Sequence, residues 1–288
     1  MKLLRLLLVG LLWVSALHAA SIKVGPGALQ IDLGMPVTLY TYRPVNYTDG
    51  PIILVFHGVN RNAENYRNNA IAMAERFGAI VVAPEFDKKR FPSEAYQRGG
   101  ITRHGKVQPP AKWTYAMIPQ IAAAVRANLG KPELRYYCIG HSAGGQFVAR
   151  MAALTGALGA ERLVSVNPGS HLFPTRDAEF GYGFGGLPDN LSNEAAIRRY
   201  LAAPLTIYLG TADTKQDDPD LDRSAAAMKQ GRFRYERGLA CFAAAKKLAE
   251  ERGWAFNWEL VETAGIGHNS KRMFSAKEAQ QALFGSEK

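Results

Sequence analysis

Four apolar, β-rich runs punctuate the chain: Ile52–Phe56, Ala79–Ala83, Leu134–Ile139 and Arg162–Val166. Each of the first three leads into a stretch of helical periodicity, to about Phe77, across Trp113 to Leu129 and to about Leu154. A further run, Pro204–Leu209, precedes a helix expected over 235–252; a strand over 255–261 and a closing helix over 271–283 follow. Strands that are apolar almost throughout must be covered on both faces, and regular alternation with helices argues for parallel crossovers. Upstream, residues 29–33 and 37–42 alternate apolar with polar, as antiparallel edge strands do. The expected fold class is therefore α/β, a mostly parallel central sheet with helices on both faces. Pro119 should kink the 113–129 helix or mark its true start.

Residues 169–200 are too long for an ordinary connection. They fall where an insertion would overhang the carboxyl edge of the sheet, where open α/β sheets bind ligands. The segment reads as a short cap or loop insertion carrying Phe173, Phe180, Tyr182 and Phe184, side chains that suit either an apolar acyl group or simple packing. Residues 21–288 are otherwise expected to form one domain.

Residues 1–20 read differently. Lys2 and Arg5 precede an apolar run from Leu6 to Leu17, and small residues follow at Ala19, Ala20 and Ser21. This is the pattern of a signal peptide, so the mature protein is expected to be exported, periplasmic or secreted, with no membrane span. An uncleaved anchor is the alternative, since Leu17 occupies a position where cleavage sites favour a small residue. The net charge of +10 includes the two leader cations. The other basic residues are scattered, apart from Lys88-Lys89-Arg90 and the Arg232–Arg237 cluster, which indicates a solvated basic surface and no nucleic-acid partner. Cys138 and Cys241 permit a disulfide, although Cys138 sits in what reads as a central strand, where a free thiol is simply a small hydrophobe.

The third run leads straight into Gly140-His141-Ser142-Ala143-Gly144. A serine hydroxyl becomes a nucleophile only when exposed beside a base, and a sharp strand-to-helix turn presents it that way. A base and an orienting acid should follow in the order Ser, Asp, His. Asp213 lies just past the strand ending Tyr208-Leu209-Gly210, and His268 lies just past the next strand. In a parallel sheet both positions converge on Ser142 at one edge. Asp217, Asp218, Asp220 and Asp222 compete with Asp213 but read as a solvated loop; a calcium site there lacks the EF-hand spacing. His268 is the sole histidine after Asp213, while His104 and His171 remain available to touch substrate. The oxyanion hole is assigned to the backbone N–H groups of Ala143 and of Val59, the latter in the loop His57-Gly58-Val59. That loop can also be read as a strand-ending turn.

Together these residues resemble the α/β-hydrolase superfamily over nearly the whole chain beyond the leader. Within it, His57-Gly58-Val59-Asn60-Arg61-Asn62-Ala63, Phe86–Arg90 with Phe91-Pro92, and Asn167-Pro168-Gly169 are similar to bacterial polyhydroxyalkanoate-depolymerase-like esterases. The resemblance implies Ser142 as nucleophile, Asp213 as acid, His268 as base, no cofactor, and a small or oligomeric ester as substrate. Two other readings stay open: an exported serine peptidase acting on short peptides, and a noncatalytic binding protein on the same fold. The lack of a propeller-like gating domain counts against the first, and the complete triad counts against the second.

Overall fold

In the computed structural model, residues 22–286 are described; the leader at 1–20 lies outside them. The apolar runs become strands β3 (Ile52–Phe56), β4 (Ile80–Pro84), β5 (Tyr136–His141), β6 (Leu163–Val166) and β7 (Leu205–Gly210). β1 (Gly25–Asp32), β2 (Pro36–Arg43) and β8 (Glu259–Thr263) complete an eight-stranded sheet in the order β1-β2-β4-β3-β5-β6-β7-β8. β1 pairs antiparallel with β2, and β2 antiparallel with β4; every other pairing in this sheet is parallel. All five residues of β3 are fully buried, and successive ones enter opposite cores because side chains alternate across a strand.

Ile52, Leu54 and Phe56 pack with α3 (Met117–Leu129), α4 (Ala143–Thr155), α6 (Glu194–Leu201) and α8 (Arg234–Arg252). Ile53 and Val55 pack with α1 (Ala63–Asn69), α2 (Ile71–Phe77), α9 (Ser270–Ser275) and α10 (Ala279–Phe284). Both faces are thus covered, as the apolar strands require. Short α5 (Asp189–Ser192) and α7 (Ala225–Met228) complete the α-helices among the described residues.

Three details differ from the sequence expectation. The helix expected over 63–77 breaks at Ala70, and the closing helix breaks between Ser275 and Ala279. The last strand starts at Glu259, several residues later than its apolar pattern suggests. Pro119 sits in the first turn of α3, where its missing N–H costs nothing, so it marks a start and not a kink. Within 169–200, the part before Asp189 is irregular apart from isolated bridges at Glu179–Gly185 and Phe180–Gly183, whereas α6 packs on α4 and α8. No helix among the described residues is long and apolar enough to cross a membrane.

Candidate active site

Ser142 occupies the junction of β5 and α4 with φ of 59°, a conformation that L-residues other than glycine adopt only under constraint. The constraint is visible: Ser142 donates its N–H to Val166 O at 2.9 Å, while its carbonyl accepts from Gln146 N at 3.0 Å. The motif glycines are dictated by close approach. A Cβ on Gly140 would lie 2.1 Å from Gly144 O, and one on Gly144 would lie 2.2 Å from Phe56 O. The turn therefore tucks under β3 and lifts the serine to the carboxyl edge of the sheet.

Asp213 and His268 come to that edge on the loops after β7 and β8, and the two loops are stitched together. Thr211 N bonds Thr263 O and Ala212 N bonds Ile266 O, each at 3.0 Å. Asn167, at the end of β6 and also left-handed with φ of 42°, ties in the third strand end. Its Oδ1 accepts from Gly210 N at 2.8 Å and its Nδ2 donates to Gly267 O at 3.3 Å. His268 Nδ1 lies 2.7 Å from Asp213 Oδ2; because a carboxylate only accepts, Nδ1 carries the proton and Nε2 is left free as the acceptor. Asp213 is 2 % exposed, while the His268 side chain is 19 % exposed and reaches the cleft.

Ser142 and His268 line one cleft of about 210 Å³ with Gly58, Val59, Asn60, Tyr66, His141 and Asp220. Among the described residues no direct hydrogen bond joins Ser142 to His268, although both face the same cleft. Larger cavities lie elsewhere, among them one of about 680 Å³ between residues 173–182 and 224–230. Volume alone therefore does not locate the chemistry. A second, polar cleft of about 280 Å³ adjoins the first at Asp220, lined by Gln97, Arg98, Gln146, Arg150, Ser170 and Tyr182 among others.

The Val59 loop is held by a buried aromatic knot. Phe86 N donates to His57 Nε2 at 3.1 Å, which puts the imidazole proton on Nδ1, where it faces Gly58 O at 3.1 Å. Tyr96 donates to His57 O at 2.7 Å, and the Arg61 guanidinium stacks 4.2 Å over the Tyr96 ring. Burial pushes His57 down to about 4, so it is a neutral structural group. The two segments singled out in the sequence, His57–Ala63 and Phe86–Arg90, are thereby one unit. Val59 N–H belongs to this loop, and Ala143 N–H is the first of α4, where no intrahelical acceptor exists.

One neighbour of these residues, Tyr66, carries no sequence signal, whereas His141 stands beside the serine in the motif itself. Tyr66 bonds His141 Nδ1 at 3.0 Å, and the His141 ring lies 4.4 Å from that of His268. His141 is held neutral, chiefly by burial. His171 is buried with neither ring nitrogen bonded, and His104 lines a separate pocket of about 330 Å³. Phe180 and Phe184 are buried and serve packing, whereas the half-buried Phe173 lines the cavity of about 680 Å³ with Tyr182, which also lines the polar cleft. Cys138 and Cys241 are both free and buried. Among the described residues no group of three or more His, Cys, Asp or Glu side chains is placed to hold a metal ion. Asp218 and Asp222 are engaged by Arg234 and Tyr182.

No protein-family profile and no curated protein sequence matches the chain. Solved structures do match. Poly(aspartic acid) hydrolase-1 from Sphingomonas sp. KT-1 is 33% identical with a TM-score of 0.83, the match covering 90% of this chain and 98% of that one. The poly(3-hydroxybutyrate) depolymerase LpqC from Bordetella parapertussis is 35% identical with a TM-score of 0.82 and 90% coverage of both chains. S-formylglutathione hydrolase FrmB from Staphylococcus aureus, at 15% identity and a TM-score of 0.54 over 90% of this chain and 97% of that one, shares the fold.

Proposed function

Because this chain belongs to the α/β-hydrolases, in the group that includes a poly(3-hydroxybutyrate) depolymerase and a poly(aspartic acid) hydrolase, we propose that it cleaves carboxylic esters through a Ser142–His268–Asp213 acyl-enzyme. The observation that carries the reading is the 2.7 Å bond from His268 to the buried Asp213, in a cleft that His268 shares with Ser142. His268 Nε2 takes the Ser142 hydroxyl proton as Oγ attacks the ester carbonyl carbon, and Asp213 fixes the imidazole tautomer and stabilises the imidazolium. The N–H groups of Val59 and Ala143 receive the tetrahedral oxyanion. His268 returns the proton to the leaving alcohol; water then enters by the same base and releases the acid. The cycle needs no cofactor.

The substrate class is a condensation polymer or its oligomers, an assignment supported by the substrates for which the two similar proteins are named. The polar cleft that meets the Ser142 cleft at Asp220 favours short, hydrophilic acyl units over long alkyl chains. Residues 1–20 are proposed as a cleaved leader that exports the enzyme to the periplasm or beyond, and residues 21–288 as one catalytic domain. Hydrolysis of p-nitrophenyl esters from acetate to octanoate, by the wild type and Ser142→Ala together, tests the core of the reading. The wild type should turn over the short esters best, and the variant should lose at least about a thousandfold in kcat. Equal rates for the two proteins would refute the assignment, and no turnover of any ester by either would favour a binding role.

A further inference from the structure

The arginine-rich stretch Gly231–Gly238 opens α8, and two of its arginines, Arg234 and Arg237, are among the most deeply buried large side chains of the protein. That placement is costly on two counts. Burying a guanidinium forfeits hydration, and a cation in the first turn of a helix opposes the macrodipole. The ion pairs explain the location. Arg234 Nη1 stands 3.5 Å from Asp213 Oδ1, and Nη2 stands 3.1 Å from Asp218 Oδ1. The other Asp213 oxygen is the one that takes His268. The backbone follows the same plan, with Tyr235 N–H donating to Asp213 O at 3.2 Å. Arg237, one turn on, bonds Gly231 O and Gly169 O and so fastens the start of α8 to the loop after β6.

We propose that Arg234 is a positioning residue of the catalytic acid: it orients Asp213 and offsets part of its negative charge, so that His268 gives up its proton and serves as a base at lower pH. The inference rests on the serine-hydrolase reading above. Its sign follows from counting the charges that face His268. Asp213, Asp218 and Asp220, which lines the same cleft, set against Arg234 and the neighbouring Arg237, sum to −1, and His141 against the imidazole is neutral. Deleting the Arg234 cation leaves −2 beside the imidazole, which then holds its proton more tightly. The base must be neutral to act, so the acidic limb of activity moves to higher pH.

The test compares pH profiles of kcat/KM on p-nitrophenyl acetate for the wild type, Arg234→Gln, Arg234→Lys, Asp218→Asn and the double variant Arg234→Gln/Asp218→Asn. The His268 imidazole is titrated in each by NMR as a readout independent of turnover. Arg234→Gln should move the acidic limb up by about one pH unit. Arg234→Lys, which keeps the charge, should stay near the wild type. Asp218→Asn alone should move the limb down, and the double variant should return it toward the wild type. A lower plateau with an unmoved limb and an unmoved imidazole titration in Arg234→Gln would reduce Arg234 to a packing role and overturn the proposal. Should Arg234→Gln fail to fold, an unmoved limb in Asp218→Asn would do the same. If the wild type hydrolyses no ester, the functional reading fails; the NMR titrations still decide whether Arg234 governs His268.

Discussion

A methyl group on Gly144 would sit 2.2 Å from the carbonyl oxygen of Phe56, a backbone atom in the middle of the sheet edge. Neither partner can yield cheaply, because Phe56 is a fully buried residue of β3 and Gly144 is in the first turn of α4. Gly144→Ala should therefore cost on the order of 1–3 kcal/mol of stability, or more, as other overpacked substitutions do. Urea unfolding followed by circular dichroism would measure it; an unchanged midpoint would mean that the turn sits farther from β3 than described. The same close approach fixes where the serine stands in the cleft. Ser142 can hold its left-handed backbone because Val166 O and the helix behind it fix both of its neighbouring peptides. A serine on an ordinary turn would relax away from the cleft.

Among the elements, the strand ends that carry Asp213 and His268 are bound together by one side chain from the end of β6. Asn167 tolerates φ of 42° better than most residues and spends its amide on Gly210 N–H and Gly267 O, one on each of the loops that deliver Asp213 and His268. Asn167→Gly preserves the backbone preference and deletes only the amide. It should lower kcat roughly 10- to 100-fold, because an ångström of drift at reacting groups is that expensive, and lower the melting temperature by about a few degrees, because the Gly210 N–H and Gly267 O lose a buried partner. Wild-type kcat in that variant would assign the alignment to the backbone bonds at Thr211 and Ala212 instead. The elements themselves were unevenly legible. Central strands buried on both faces read directly as apolar runs, and β5 with its glycine-flanked serine pinned the motif to a strand end. The breaks at Ala70 and before Ala279 left no mark, because no glycine or proline stands at either. α6 has a readable apolar pattern in Ala196, Ile197, Tyr200 and Leu201, but it follows so long an irregular stretch that all of 169–200 reads as an insertion. Arg234 was conspicuous as part of a basic cluster; its partner Asp213 is distant in sequence, and only the tertiary fold joins them.

Across the whole molecule, three buried histidines make folding sensitive to mild acid. Burial pushes His57 down to about 4 and His171 down to about 3, and it pushes His141 down as well. The ordinary value near 6.5 applies once the chain unfolds. The unfolded chain then takes up protons that the native state refuses, so each histidine's contribution is intact above about 6.5 and is lost as pH falls toward its native value. At pH 5, His57 and His171 should each have forfeited about 2 kcal/mol, by the linkage between proton binding and folding. Asp87, Asp218 and Asp222, whose carboxyls are held below their ordinary value of 3.8, contribute nothing to a change in this range, because they are ionised in both states well above that value. Urea unfolding free energies at pH 7.5 and pH 5 would isolate the histidines, with a drop of several kcal/mol expected on acidification. A flat comparison would mean that these imidazoles are hydrated or charged in the native protein, and that the knot of His57, Phe86 and Tyr96 beneath the Val59 loop is looser than its geometry implies.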